Sequence, residues 1–227
     1  MNSNRQRNTE CPPGALRVKP GNKKLAKIFK KAKNQNKKFI YLENGIHKEK
    51  GKMIVVDFSV TLIGASRDRC IFKGGFRIEG KKEDDVAIEN LTICESKECG
   101  VVGTGASVQL NKVTVDLCQN FGVIVVGTHR NTMTDCQISN SQGSGLCVYN
   151  GGFMTTDGDA TTIYDNCTSG SSNTFGLDTG YTETTSTSNV TPGTIIIKSP
   201  LTKESISTNN GGGGNWGGEG TITEEEP

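Results

Sequence analysis

The sequence predicts an all-β fold, a right-handed parallel β-helix of about six coils with a short N-terminal amphipathic capping helix. Three observations carry this. The apolar period is helical over residues 22–36 and alternating from residue 37 onward. A six-residue pattern recurs as Ile88–Ile93, Leu110–Val115 and Met133–Ile138, and more weakly as Tyr164–Ser169. A glycine-led strand then follows each copy: Gly100-Val101-Val102, Gly122-Val123-Ile124, Gly145-Leu146-Cys147 and Gly176-Leu177-Asp178, with glycines 22, 23 and 31 residues apart. Such a unit cannot bury its inward side chains alone. Stacked copies share one core and push loops of free length outward, and each strand pairs in parallel with its counterpart about 4.8 Å away.

The elements follow in order. Residues 1–20 hold Pro12, Pro13 and Pro20 and read as a flexible basic arm. Leu25, Ala26, Ile28, Phe29 and Ala32 share one helical face, lysines fill the rest, and Asn22 is the candidate cap. Phe39–Leu42 is a first strand, with Phe29 and Phe39 assigned to the core, and Glu43-Asn44-Gly45 is a turn. The repeats occupy the rest of a domain over 21–182. At the sharp bend inside each repeat stand Asn90, Lys112, Asp135 and Asn166, a corner ladder in which Asn and Asp tolerate left-handed backbone and Lys112 is the imperfect rung. Residues 183–202 include Thr194–Lys198, an apolar segment able to cap the last coil or pack on its side. Residues 203–227, with seven glycines around Trp216 and a run of glutamates, read as a disordered acidic tail.

Composition excludes several classes. The 227 residues carry a net charge of +2, but residues 1–52 hold 15 Lys/Arg against 3 Asp/Glu and the remainder 11 against 21. A basic head thus joins an acidic body, which makes head-to-body association of copies conceivable. No apolar run reaches the length of a membrane span. The polar start shows no signal peptide, which suggests an intracellular protein or part of an assembled particle. Eight cysteines without a CxxC pair, and only His47 and His129, predict free thiols and no metal or cofactor. Cys136 and Cys167 are expected to face inward beside Leu91 and Val113, and Cys147 outward.

Residues 39–93 resemble the opening of proteins of the pectin-lyase-like superfamily. The carriers are Phe39–His47, Val60–Ser66 and Val86–Ile93, preceded by the Leu25–Ala32 helix where that superfamily places a cap. The resemblance implies the fold and leaves the activity open, because the superfamily spans lyases, hydrolases, esterases, epimerases and non-catalytic modules. Its catalytic patterns are not matched. Asn131-Thr132 is followed by Met133 where a polygalacturonase-like motif needs Asp. Asp84-Asp85 lies far upstream, and Asp157-Gly158-Asp159 is an isolated turn.

In these folds a groove runs along the strand after the variable loop. Its outward row here would be Arg77, Val102, Ile124, Cys147 and Asp178, an apolar stripe (Val102, Ile124, Cys147) between two charges. Polar candidates at the strand ends are His129, Arg130, Tyr149, Asn150, Asp178 and Tyr181, a patch of donors and aromatic faces suited to sugars. The reading is a non-catalytic module for surface recognition or assembly, with polysaccharide or a protein surface as partner. The alternatives are a divergent polysaccharide lyase or glycoside hydrolase and, less favoured, polyanion or nucleic-acid binding by the basic arm.

Overall fold

The structure, a computed structural model, describes residues 9–22, 24–49, 53–180 and 191–226. It is a parallel β-helix of about eight turns rather than six. Three parallel sheets run its length, with nine strands in the first, eight in the second and seven in the third. A typical turn is the fifth: Ser107–Asn111 in the first sheet, Thr114–Asp116 in the second and Val123–Val126 in the third. The registers confirm the repeat alignment, with Ile88 beside Leu110, Ile93 beside Val115 and Val101 beside Val123. Inward residues from all three sheets form one continuous core that includes Ile40, Leu62, Ile88, Leu110, Met133, Met154 and Ile195.

Turn count and both ends differ from the sequence reading. Leu16–Val18 and Gly21–Asn22, inside or beside the expected arm, are strands of an incomplete first turn, paired with Ile40–Leu42 and His47–Lys48. The helix Leu25–Asn34 therefore follows the first strands and takes the place of a third-sheet strand. Its N-cap is Lys24, without a side-chain cap, and Asn22 belongs to a strand. Leu25, Phe29 and Ala32 are its buried face. Phe29 lies edge-on to Phe58 and tilted on Phe76, which stacks on Phe72, so an aromatic plug closes this end of the core. Phe39, expected in the core, is exposed because its neighbour Ile40 takes the inward position.

At the other end, Thr194–Ile197 is a first-sheet strand paired with Phe153–Thr156, with Ile195 and Ile197 fully buried. It neither caps the last coil nor packs on the stripe. The segment expected to be disordered supplies a helical turn, Lys203–Ile206, and strands Ser207–Thr208, Gly214–Gly217 and Thr221–Glu224. Low hydrophobicity misleads here because backbone pairing, as in Phe175 beside Gly214 and Asp178 beside Gly217, needs no large side chain. The Cys11 region aside, every cysteine is buried and free.

The glycines of the repeat have a steric cause. A Cβ on Gly122 would come 2.3 Å from Ile138 Cγ2 and 2.7 Å from the Gly145 carbonyl oxygen, and Gly100 and Gly145 are equally blocked by the next turn. Successive turns pass too closely at this corner for any side chain.

Candidate functional site

Two corners position the polar groups. At the first, between the first and second sheets, Asn90, Lys112 and Asp135 adopt φ of 55°, 54° and 52°, as the ladder requires. Asn166 is not the fourth rung. The corner of the seventh turn is widened to residues 158–161, where Gly158 takes the positive φ, and Thr161 occupies the slot of Cys136, to whose backbone N–H its hydroxyl is bonded. This insertion displaces the weak fourth repeat, so Cys167 does not stand with Leu91 and Val113, although it is buried. Asn166 belongs to the second corner. There its amide donates to the Ile138 and Tyr164 carbonyls and to Asn210 Oδ1, and accepts from the Ser141 N–H. The left-handed residues at this corner are Glu95, Leu117, Asn140, Asp165 and Asn209.

The first corner opens into a cleft of about 620 Å³ lined by Thr9, Arg67, Glu89, Asn90, Asn111, Lys112, Asp135, Asp159 and Ala160. Several of these are fixed. Asn90 accepts from the Arg67 N–H at 3.2 Å and donates to the Gly64 carbonyl at 3.0 Å and to Thr9 Oγ1 at 2.7 Å. Asp135 Oδ1 accepts from the Ala160 N–H at 3.3 Å, and the Arg67 guanidinium donates to the Asp135 carbonyl at 3.1 Å. Glu89 is half-buried on the outward face of its strand, and burial raises its carboxyl above the ordinary range. Lys112 and Asp159 are exposed. The cleft thus presents two cations, three carboxyls and amides on a scaffold whose backbone is already paired.

The expected groove row has the predicted register: Arg77, Val102, Ile124, Cys147 and Asp178 are successive neighbours on the third sheet. The stripe is covered, however. Val102, Ile124 and Cys147 pack with Cys99, Met53, Phe121, Val126 and Tyr149 in a second, smaller core. Asp178, expected at an accessible end, is 0% exposed. Its Oδ2 accepts from Ser144 Oγ at 2.6 Å and its Oδ1 from the Gly180 N–H at 3.1 Å. Both bonds favour the charged form, yet burial dominates and pushes the carboxyl from 3.8 up to about 6. Beside it, burial holds the Cys147 thiol well above its usual value, which makes it an inert packing group.

The other patch candidates are spread out. Arg130 reaches back over two turns, pairing with Asp85 at 3.1 Å and donating to the Lys82 carbonyl at 2.9 Å. His129 is exposed before the next strand. Tyr149 is half-buried against the stripe and bridges to Pro192, and Asn150 is an exposed left-handed turn residue. Tyr181 lies outside the described residues. Sequence reasoning missed Asn131 as a structural amide: buried, it accepts from the Val108 N–H and donates to the Thr128 and Phe153 carbonyls. It missed Arg67, which follows Val60–Ser66, and Glu89, inside the Ile88–Ile93 repeat, because the repeat marks the turn and not the surroundings of its outward side chains. His47, one of the two histidines, is a buried inward residue bonded to the Glu43 carbonyl at 2.8 Å, and burial lowers its pKa.

Comparison with known proteins bears on the fold. No family model and no curated protein sequence matches the chain. Among solved structures, the catalytic domain of a GH87 α-1,3-glucanase, an Asp→Ala variant in complex with tetrasaccharides, is similar with a TM-score of 0.56 at 14% sequence identity. The match covers 96% of this chain and 40% of that one. The chain shares with it the parallel β-helix architecture. This agrees with what the residues 39–93 implied. At this identity the likeness extends to architecture and not to any site residue.

Proposed function

We propose that the protein is a non-catalytic glycan-recognition module that holds a polysaccharide chain along the first-corner cleft. The observation that carries this is the spacing of the cleft. Polar side chains come from five consecutive turns: Arg67, then Glu89 and Asn90, Asn111 and Lys112, Asp135, and Asp159. At about 4.8 Å per turn they form a row about 19 Å long, matched to a linear polymer of hydroxyl-bearing rings. Amides, carboxyls and cations together can donate to and accept from such hydroxyls. The fixed Asn90 and Asp135 keep the row rigid, which lowers the entropic cost of binding. The tetrasaccharide-bound glucanase of similar fold supports a carbohydrate as the ligand class.

Affinity electrophoresis against neutral and uronate-containing polysaccharides tests the reading. Retardation by at least one glycan, weakened about tenfold in Lys112→Ala, is expected, without release of reducing ends. Equal mobility of the wild type and Lys112→Ala on every glycan would refute it.

One observation favours a second reading, hydrolysis: Glu89 is a half-buried carboxyl with a raised pKa in a cleft that also holds Asp135 and Asp159, as a general acid requires. Release of reducing ends that disappears in Glu89→Gln would establish it in place of simple binding.

A further inference from the structure

A second cleft, of about 360 Å³, opens at the other corner, between the second and third sheets. Its lining includes Gln119, Asn120, Phe121, Gln142, Gly143 and Thr174. Among the described residues no Asp, Glu, Lys, Arg or His lines it. Gln119 and Gln142 make equivalent backbone bonds to the preceding turn, to the Ser96 and Cys118 carbonyls, each at 2.9 Å. The two residues therefore stand at equivalent positions on adjacent turns, about 4.8 Å apart, and both line the cleft. The Gly143 N–H donates to the Asn120 carbonyl at 3.0 Å, and a Cβ on Gly143 would come 3.2 Å from the Phe121 ring. The glycine thus keeps one edge of that ring accessible.

We propose that this cleft is a separate site for a neutral sugar, with one pyranose ring held by the Gln119–Gln142 pair and flanked by Phe121. Each primary amide both donates and accepts, as does each sugar hydroxyl, so two such amides satisfy two hydroxyls of one ring. The accessible edge of Phe121 gives the sugar ring an apolar side wall. The volume is near the lower limit for small-molecule pockets and fits one or two rings. An ionised ligand would meet no opposite charge. An extended peptide would need unpaired backbone to add to, and the loop N–H groups of Gln119, Gln142 and Gly143 are already bonded.

The site is independent of the first-corner cleft. Ligand-observed NMR and calorimetry with glucose, galactose, mannose and a capped tripeptide as probes test it on the full chain. At least one sugar should bind saturably with a Kd of about 1–10 mM. The Gln119→Ala/Gln142→Ala double variant should weaken it about tenfold or more, and Lys38→Ala, at an exposed residue that lines neither cleft, should leave it unchanged. Gln142→Glu, which keeps the shape and adds a charge, serves as a second variant, and circular dichroism confirms that both variants fold. No sugar binding up to about 100 mM, binding that survives the double variant, or binding of the tripeptide alone would overturn the proposal.

Discussion

Replacing Asp178 by Asn should make the protein more stable at neutral pH, although it removes a hydrogen-bonded side chain from a buried site. Asp178 is fully buried on the outward face of the third sheet, next to Cys147. Its carboxyl titrates at about 6 in the folded chain against an ordinary 3.8. Between those values the folded state binds more protons than the unfolded state, so stability falls as the pH rises through this window. The difference, at about 1.4 kcal/mol per pKa unit, amounts to about 3 kcal/mol lost by pH 7. Asn keeps the size and discards the charge. Its amide oxygen accepts from the Gly180 N–H, and its NH₂ donates to Ser144 Oγ, which accepts from the Phe175 N–H with one lone pair and keeps a second. Urea unfolding of both proteins at intervals from pH 4 to pH 8 gives the difference directly. The gain should be near zero at pH 4, grow through pH 6 and level off at about 2–3 kcal/mol. A difference that does not change with pH, or an Asn variant less stable at pH 8, would refute the reasoning.

Other substitutions test other parts of the fold. Gly122→Ala places a Cβ 2.3 Å from Ile138 Cγ2 and should lose about 1–3 kcal/mol, read as a lower urea midpoint. Phe76→Ala opens a cavity between Phe29 and Phe72 and should cost about 3–5 kcal/mol in the same assay. Leu117 is half exposed at φ 54°, where Asn140 and Asn209 stand at equivalent corners, so Leu117→Asn should gain about 1 kcal/mol, seen as a rise in Tm. Thiol labelling at pH 8 should modify Cys11 rapidly and the other seven cysteines only on unfolding, since burial pushes Cys70, Cys118 and Cys136 to about 12.

The sites were less legible than the fold, for identifiable reasons. The alignment of Val102, Ile124, Cys147 and Asp178 follows from the glycine spacing alone, and the register reproduces it. Exposure does not follow: Cys99 and Phe121 stand at one repeat position, directly before Gly100 and Gly122, but only packing turns their side chains and Met53 over the stripe. Asn166 was placed at the wrong corner because the widened bend at residues 158–161 shifts the phase of the seventh turn. Arg130 faces away from the expected patch because its partner Asp85 lies two turns back in space and 45 residues away in sequence. The first-corner cleft is partly legible: Asn90, Lys112 and Asp135 stand out as ladder residues, whereas Glu89 acquires its raised pKa only from the packing around it.

The sequence by itself determined the stacking. Apolar residues recurring with period two, glycines about one turn apart, and Asn or Asp at left-handed bends admit few structures other than a parallel solenoid, because each is a local requirement that the neighbouring turn must share. Only the tertiary structure decided how far the solenoid extends and what its surface offers. Residues 207–226 are held by backbone pairing to the preceding turn, a bond that polar, glycine-rich chain can make as well as apolar chain. Whether a side chain such as Asp178 or Glu89 meets water or protein depends on loops from other turns, and no local pattern encodes those.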